Sequence, residues 1–388
     1  MVTNIPSRCI PYWNNYEEAK TTREKIKALE ELIACIPKHK GTEKLLKDFK
    51  VKLAKLRAEL TKEMESKPRP RFVFSVSKKG DAQIVLLGTP YSGKTSLVNS
   101  LCNASYVVGR PTSQPQEGIF KWEGCEFQIV DMPPILSADI DRTPNGRSIM
   151  GIAYNSDVLG LVVDATQDLG WQIDVLIGAL KDSNIILKPP PPIRVKRLPR
   201  GGIMVSGIDY SPFSIDELKE ILRNYKIINC IVEFHGPVSE YDIFLALNPR
   251  IVFKKAIVIL TKLDLVDDKI EYIRQTEKII AQKKHNIPIV PYSIKCPKCM
   301  DNLGKTIFKE LDLIRVWTKK DGIVSRERAI VLKSPATVRD VCEKIHTHFL
   351  KKFRYAVVER PSDKIKRKNV GIDYQLKDGD IITIYTRD

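Results

Sequence analysis

The chain has 388 residues, more than one hydrophobic core usually serves, so we expect several domains. Hydrophobic residues make up 43% of it and charged residues 29%, which is typical of globular proteins and argues against a disordered chain. Lys and Arg outnumber Asp and Glu by 64 to 47, and this net charge of +17 favours a polyanionic partner, above all nucleic acid, unless the source organism has basic proteins throughout.

No stretch approaches the roughly 18 consecutive apolar residues of a membrane span. The N-terminus lacks the apolar core of a signal peptide, so we expect a cytoplasmic protein without a membrane partner. The eight cysteines show no disulfide framework, and we expect reduced thiols.

Residues 15–66 carry apolar side chains at spacings of three and four among many Lys and Glu, which predicts amphipathic helices. Pro37 and Gly41 interrupt the pattern, so a helical hairpin fits best. Its Lys-rich face is either a solvated surface or an RNA contact. Lys67-Pro68-Arg69-Pro70 then predicts a linker, and we assign residues 1–70 to an N-terminal helical region.

An α/β domain is predicted next, because short apolar runs alternate with helical stretches. We assign residues 71–183 and 251–320 to this domain. The predicted parallel strands span residues 84–87, 127–130, 158–163, 256–260 and 287–291.

A phosphate-binding loop follows the first of these strands. The sequence from Gly88 to Thr95 matches G-x-x-x-x-G-K-[ST] between a strand and a helix. Backbone N–H groups would hold the phosphates, Lys94 would neutralise their charge, and Thr95 would bind Mg²⁺. The loop alone does not separate GTPases from ATPases or nucleotide kinases. The candidate nucleotide-binding residues here are Gly88, Pro90, Tyr91, Ser92, Gly93, Lys94, Thr95 and Ser96.

Asp131 ends the second predicted strand, where its carboxylate can hold magnesium, usually through water. A solvated turn aspartate is the alternative.

Residues 184–250 interrupt the alternation and predict an inserted subdomain, since ordinary connections are shorter. Four prolines and a basic run open this segment, and Gly201-Gly202 follows. Ser214 with Glu217 three residues later predicts a capped helix. The basic run consists of Arg194, Lys196, Arg197 and Arg200.

Base selection is predicted at Thr261-Lys262-Leu263-Asp264, which resembles the guanine-specificity motif [NT]-K-x-D. The Asp264 carboxylate would accept hydrogen bonds from guanine, whereas adenine would leave it unpaired at a cost. This disfavours an ATP-dependent protein. Ser293-Ile294-Lys295 resembles the short element whose backbone N–H reaches guanine O6.

Two further features stand near the C-terminus. Cys296-Pro297-Lys298-Cys299 has zinc-ligand spacing, but structural zinc takes four ligands and the sequence has no second such pair, so free thiols are favoured. Residues 325–388 predict a β-grasp-like domain with strands at 329–332, 355–358 and 381–385 and a helix at 337–351. Its basic cluster, either a phosphate contact or a solvated loop, comprises Lys364, Lys366, Arg367 and Lys368.

These motifs together resemble the developmentally regulated GTP-binding proteins of the Obg-type GTPase family over nearly the whole chain. Arg315-Val316-Trp317-Thr318-Lys319 resembles that family's R-[IV]-[YW]-T-K passage into its C-terminal TGS domain. The resemblance implies a P-loop GTPase with a doubly wound sheet, an inserted α+β subdomain, an N-terminal helical hairpin and a C-terminal β-grasp (TGS) domain. It also implies GTP or GDP and Mg²⁺ as ligands, and slow hydrolysis coupled to ribosomes or structured RNA rather than DNA. Some members bind a small regulatory protein as well.

The chain departs from the family at positions 134, 91 and 109–113, and it shares with the family the lack of a glutamine at position 135. Asp131-Met132-Pro133-Pro134 replaces D-x-P-G, so position 134 has no N–H for the γ-phosphate. Ile135 stands where many GTPases carry a water-orienting glutamine. Tyr91 replaces an Asn or Ser that helps bind potassium in some relatives.

The switch region aligns at residues 109–113, where Thr112 is the candidate second magnesium ligand and, with Lys94, the candidate catalytic residue. Ser113 is the fallback, and an ordinary surface loop is the alternative. We therefore expect a slow Mg²⁺-dependent GTPase switch, with a guanine-nucleotide-binding RNA or ribosome scaffold that barely hydrolyses as the rival.

Overall fold

The computed structural model describes residues 6, 9–19, 22–37, 42, 45–46, 48–53, 56, 74–320, 323–360 and 367–387, apart from the side chains of 22–23, 320 and 347. The chain forms two compact units, Met1–Phe72 and Val73–Asp388. None of the described helices is long and apolar enough to cross a bilayer.

The first unit is helical. Helix α1 spans Ile10–Glu18 and helix α2 spans Thr22–Cys35, and residues 45–46, 48–53 and 56 are helical too. Leu29, Leu32 and Phe49 are buried and form its core with their neighbours. The predicted helices are confirmed where described, but α1 is an additional helix. The linker at 67–70 lies outside the described residues.

Cys9 and Cys35 form a disulfide in this unit, with 5.9 Å between their Cα atoms. The expectation of reduced thiols is therefore wrong for this pair. A separation of 26 residues with no matching second pair carries no disulfide signal in the sequence, because folding alone brings the C-terminal end of α2 close to the turn before α1.

The second unit contains the remaining elements. In chain order they are β1 (Ala82–Gly88), α3 (Lys94–Cys102), β2 (Gln116–Trp122), β3 (Cys125–Asp131), α4 (Gly146–Asn155), β4 (Val158–Asp164), α5 (Leu169–Asp182), β5 (Ile185–Ile186), β6 (Ile193–Arg197), β7 (Ile203–Ser206), α6 (Ile215–Asn224), β8 (Cys230–Phe234), α7 (Glu240–Leu247), β9 (Val252–Phe253), β10 (Lys255–Thr261), α8 (Lys269–Gln282), β11 (Ile289–Pro291), α9 (Pro297–Glu310), β12 (Leu313–Lys320), β13 (Ile323–Val324), β14 (Ile330–Lys333), β15 (Ala336–Thr337), α10 (Val338–Ile345), α11 (Thr347–Lys351), β16 (Phe353–Glu359), β17 (Arg367–Val370), β18 (Gln375–Leu376) and β19 (Asp380–Thr386).

A six-stranded sheet has the order β11-β10-β4-β1-β3-β2, and only β2 runs antiparallel to its neighbour. β1 and β4 are buried at every position, as expected of strands covered by helices on both faces. Val85 and Leu87 face one core, and Ile84 and Leu86 face the other. The predicted α/β architecture is confirmed. Because the strands are parallel, the loops after β1, β3, β4 and β10 meet at one edge.

The segment between β5 and β9 forms a small α+β layer. β5 pairs with β9, and a separate sheet has the order β6-β8-β7. One sheet face packs on α6 and α7 through Val232, Leu222 and Ile243. The predicted capping box is confirmed at Ser214 and Glu217. Arg194 and Lys196 are exposed on the other face.

The C-terminal β-grasp sheet has the order β13-β12-β19-β16-β17, with β14 beside β12, and packs on α10. The prediction of one helix over 337–351 is wrong: His346 has an extended backbone (φ −172°, ψ 140°) that separates α10 from α11. A capping bond from the His348 N–H to the His346 Nδ1, 3.1 Å long, starts the second helix. Lys364 and Lys366 lie outside the described residues.

Candidate nucleotide site

The phosphate-binding loop links the end of β1 to the start of α3. A Cβ at Gly88 would stand 2.5 Å from Ser92 Oγ and 2.8 Å from the Val162 carbonyl oxygen, so only glycine fits there. Gly93 has a φ of 90° and precedes the helix. Tyr91 adopts a φ of 60° with its ring exposed, a backbone region that costs a residue with a Cβ about 1 kcal/mol.

Lys94 extends into the hollow of this loop. Its Nζ donates hydrogen bonds of 3.1 Å to the carbonyl oxygens of both Gly88 and Thr89. Burial lowers the pKa of Lys94 to about 8, although the Asp131 carboxylate opposes this shift. The structure thus holds one cation against the loop backbone that would cradle phosphates.

Thr95, Thr112 and Asp131 converge although they come from α3, the switch segment and β3. Asp131 Oδ2 accepts from Thr95 Oγ1 at 2.6 Å and from Thr112 Oγ1 at 3.1 Å, and the two hydroxyl oxygens are 3.2 Å apart. Asp131 Oδ1 is buried and has no hydrogen-bond partner among the residues that the structure describes. Desolvation raises the pKa of Asp131 despite Lys94 and the two hydroxyls.

This arrangement suits a small hard cation. Mg²⁺ prefers carboxylate and hydroxyl oxygens, and a buried carboxylate with a free oxygen is costly without a positive partner. The residues present therefore fit the metal, and Thr95, Thr112 and Asp131 are the side chains that could hold it directly or through water. The fallback candidate, Ser113, is exposed, and the hydrogen bonds of the described residues join Thr112 rather than Ser113 to this cluster.

The segment after Asp131 packs into the core and is hydrogen-bonded to the phosphate-binding loop. Met132 and Ile135 are fully buried in the core of the sheet. The Ile135 N–H donates to the Gly88 carbonyl at 3.1 Å. Pro134 lines a cavity where the phosphate loop meets the switch segment. The side chain at position 135 therefore points into the core rather than towards bound nucleotide.

Asp264 lies beside the Ser293-Ile294-Lys295 element, as the two motifs predict. Ser293 Oγ donates to Asp264 Oδ1 at 3.0 Å, and Lys295 Nζ is 3.4 Å from Asp264 Oδ2. Desolvation alone would raise the pKa of Asp264, but these donors outweigh it and the pKa lies below its usual value. The Ile294 side chain is exposed. A charged, oriented acceptor is what guanine recognition at this position requires.

Thr261 and Lys262 tie the base loop to the phosphate loop. Thr261 Oγ1 donates to the Ser92 carbonyl at 2.8 Å, and Lys262 Nζ donates to the Tyr91 carbonyl at 2.9 Å. These bonds fix the separation of the two loops.

Two functional-site residues were not predicted from the sequence. Asp164, fully buried at the end of β4, accepts from Lys262 Nζ at 2.6 Å. Gln172 of α5 accepts from the Asp164 N–H at 2.9 Å and lies 3.4 Å from Thr89 Oγ1. The signal for Asp164 is the one used for Asp131, a carboxylate at the carboxyl end of a buried strand. Gln172 shows no such signal.

A cavity of about 230 Å³ opens where the phosphate loop meets the switch segment. The lining of this cavity does not include Asp264, Ser293 or Ile294. Lys262, from the same motif as Asp264, lines the cavity and donates to the Tyr91 carbonyl. The lining residues are Pro90, Tyr91, Ser92, Gly93, Lys94, Thr95, Ser96, Val108, Gly109, Arg110, Pro111, Thr112, Pro134 and Lys262.

Three regions of the chain match known protein families. Residues 83–188 match the family described as 50S ribosome-binding GTPase. Residues 200–313 match the C-terminal region of the MMR_HSR1 domain, and residues 314–386 match the TGS domain. The phosphate loop and Asp131 lie in the first of these regions.

Whole proteins also resemble this chain. It is 31% identical over 373 residues to developmentally-regulated GTP-binding protein 1 of Xenopus laevis, covering 94% of this chain and 98% of that protein. It is 29% identical over 375 residues to the ribosome-interacting GTPase 1 of Saccharomyces cerevisiae, with 94% and 98% covered. Among solved structures, the YchF GTPase of Schizosaccharomyces pombe matches 81% of this chain and 100% of its own at 13% identity, with a TM-score of 0.48.

Proposed function

The chain belongs to the family of the developmentally regulated GTP-binding proteins, and from that premise we propose that it is a slow, Mg²⁺-dependent GTPase that acts as a switch on ribosomes or translation. The observation that carries the proposal is the shared contact of Thr112 and Thr95 with Asp131. Through it, the switch segment shares a carboxylate with the phosphate loop.

The proposed division of labour follows from the side chains. Lys94 and the loop backbone bind the phosphates of GTP or GDP, and Thr95, Thr112 and Asp131 hold Mg²⁺. Bound Mg²⁺ would neutralise charge on the phosphates during their transfer to water. Asp264, with Ser293 and the Ile294 N–H, selects guanine.

Slow turnover is proposed because position 135 supplies no group that could orient water. Ile135 is buried, and its N–H is bound to the Gly88 carbonyl. Pro134 has no N–H to donate to a γ-phosphate. The same two residues favour the rival function, a guanine-nucleotide-binding RNA or ribosome scaffold with little or no hydrolysis.

The proposed partner is a ribosome or structured RNA. A relative is named a ribosome-interacting GTPase. In the β-grasp domain, Tyr355 and Tyr385 stack at 4.6 Å and 12° on neighbouring strands, with Arg354 5.9 Å from the Tyr355 ring. Tyr385 is exposed and Tyr355 is half-buried, and an exposed aromatic ring beside a cation is suited to bases and phosphates. A small regulatory protein partner is proposed from the family resemblance alone. A cytoplasmic location and the division at residues 1–70, 71–183 with 251–320, 184–250 and 325–388 are proposed from the sequence patterns.

The test is calorimetric binding of GTP, GDP and ATP with Mg²⁺, followed by phosphate release from the same samples with and without ribosomes. Lys94→Ala should abolish binding and release, whereas Lys121→Ala, which removes an exposed lysine of β2, should change neither. Guanine-selective binding with release supports the switch. Guanine binding without release, even with ribosomes, supports the scaffold, and a preference for ATP contradicts the role given to Asp264.

A further inference from the structure

Two thiols lie at the start of α9, directly after the element that orients Asp264. Cys296 is the N-cap of the helix, Pro297 occupies its first turn, and Cys299 is one turn further on. Both cysteines are partly exposed and free. Neither has a role in the proposed nucleotide chemistry.

The backbone already brings the pair within disulfide range. The Cys299 N–H donates to the Cys296 carbonyl at 3.0 Å, which closes a turn. The ends of such a turn lie within about 7 Å, the range of Cα separations that a disulfide spans. The two side chains are also hydrogen-bonded to each other. Ring closure therefore requires only a small local adjustment.

We propose that Cys296 and Cys299 are a thiol–disulfide exchange site for small-molecule disulfides, and that closing their disulfide weakens guanine binding. The second half rests on the proposed guanine site.

The direction of the exchange follows from the environment of each thiol. The hydrogen bond from Cys299 holds the pKa of Cys296 below its usual value, and the start of a helix favours an anion. Burial raises the pKa of Cys299, and the bond it donates to Cys296 raises it further. Cys296 is thus the attacking sulfur and Cys299 the resolving one.

The reaction balances with glutathione disulfide as the oxidant. The Cys296 thiolate attacks one of its sulfurs, which forms a mixed disulfide and releases one glutathione. Cys299 then attacks the Cys296 sulfur, which closes the protein disulfide and releases the second glutathione. The protein loses two thiol protons and two electrons, and the small disulfide gains both as two thiols.

The link to guanine runs through the turn before the helix. The Cys296 N–H donates to the Ser293 carbonyl at 3.0 Å, and Ser293 Oγ donates to Asp264. The Lys295 N–H also donates to Ser293 Oγ at 3.3 Å. A change at Cys296 is therefore transmitted to the residue that holds the guanine-binding carboxylate.

A metal is the other common use of this spacing. Within the described part of the chain, no group of three or more His, Cys, Asp or Glu side chains is placed to hold a metal ion. Cys296 and Cys299 are not disulfide-bonded in the structure, and the choice of free thiols over a zinc site stays a prediction.

The test uses the full-length protein equilibrated in buffers of increasing glutathione disulfide and then alkylated. Trypsin cleaves after Lys295 and Lys298, so the two cysteines fall in separate peptides, 296–298 and 299–305, which remain joined only by a disulfide. Binding of GDP is measured on the same samples. We expect the joined peptide to appear together with an affinity about fivefold or more lower, and dithiothreitol to reverse both.

Three variants sharpen the result. Cys299→Ala should trap glutathione on Cys296, and the Cys296→Ala/Cys299→Ala protein should bind GDP equally well in all buffers. Cys102→Ala is the matched control, because burial raises the pKa of Cys102 to about 12, and its response should equal that of the parent. Absence of the joined peptide, or its formation with unchanged affinity, overturns the proposal. If the reduced protein failed to bind GDP, the proposed function and the effect of the disulfide on guanine binding would both be wrong. The joined peptide would still show whether Cys296 and Cys299 exchange with a small-molecule disulfide.

Discussion

Two hydroxyl groups from separate parts of the chain share one oxygen of Asp131, and Thr112 is the one that comes from the switch segment. Through the Thr112 hydroxyl, the switch segment would contact the bound metal ion. Thr112→Val keeps the shape and removes the hydroxyl, so Mg²⁺-dependent nucleotide binding should weaken about tenfold, as expected for a lost metal contact. Titrations with GTP in Mg²⁺ and in EDTA measure the effect, which should be much smaller in EDTA.

Ser113→Ala is the matched control for this change. Ser113 adjoins Thr112 but is exposed, so the Ser113→Ala protein should bind GTP with an affinity within about twofold of the parent, as for most surface changes. If Ser113→Ala weakened Mg²⁺-dependent binding and Thr112→Val did not, the fallback ligand would be the correct one.

The reactivity of Cys296 provides a pH test at the same scale. The charged or titratable groups around Cys296 are Cys299 and Lys298 on the same helix, Tyr292 before the helix and Lys269 of α8. A lowered pKa leaves more thiolate at neutral pH. The rate of Cys296 alkylation should therefore reach half its maximum at a pH below about 8.5, the pKa of an ordinary thiol.

Cys299→Ala should move this midpoint upward, because the largest cause of the lowered pKa is the hydrogen bond from Cys299. Iodoacetamide labelling followed by mass spectrometry from about pH 5 to about pH 9 gives the curve. An unchanged midpoint in the variant would show that the bond does not set the reactivity.

At the scale of the elements, the buried parallel strands were predictable because continuous aliphatic runs such as those of β1 and β4 occur in few other settings. β2 was not predicted, since it is a partly buried edge strand with Gly118 in it. Gly118 lies where a Cβ would be 2.6 Å from Cys102, a tertiary reason that no local pattern carries.

The site divides in the same way. Motifs fixed by ligand chemistry, such as Lys94 and Asp264, could be named from spacing alone. The hydrogen bonds of Asp164 and the burial of Ile135 depend on how distant segments meet. The break at His346 depends on one backbone torsion inside an otherwise helical pattern.

Arg315 joins three elements at the start of the β-grasp sheet. Its guanidinium donates to both carboxylate oxygens of Asp378, at 3.1 and 2.8 Å, and pairs with Glu123 of the β2–β3 turn. It also lies 4.8 Å from the ring of Phe308 in α9. Arg315→Met should lower the free energy of unfolding by about 2 kcal/mol, because it removes the guanidinium donors of both carboxylates and leaves Asp378 with the backbone N–H of residue 315.

Arg339→Met is the comparison for this prediction. Arg339 also pairs with an aspartate, Asp373, but 46% and 77% of the two side chains are exposed. Such a pair contributes little, so the change should stay below about 0.5 kcal/mol. Urea midpoints of the three proteins decide it, and equal losses would mean that Arg315 acts as a surface charge only.

Over the whole molecule, the net charge of +17 is unevenly arranged, and the inserted layer shows this most clearly. Its sheet exposes Arg194, Lys196, Arg197 and Arg200 on or just after β6, and none of these pairs with an acid among the described residues. Its helix α6 carries Asp216, Glu217 and Glu220 on the opposite side. Arg194 and Lys196 therefore make the free sheet face the side that would attract a phosphate backbone.

Arg194→Gln/Lys196→Gln should accordingly weaken binding to ribosomes or structured RNA and reduce the slope of log K against log[KCl] by about 1 to 2. Each phosphate contact releases counterions, and two contacts are removed. Lys219→Gln/Arg223→Gln takes the same charge from α6, where Lys219 lies 3.5 Å from Asp216. If RNA is held by this face, the helix variant keeps the parent slope. If both pairs lower the affinity equally, total charge rather than its placement attracts the RNA, and the β-grasp tyrosines become the surface to test by Tyr385→Ala.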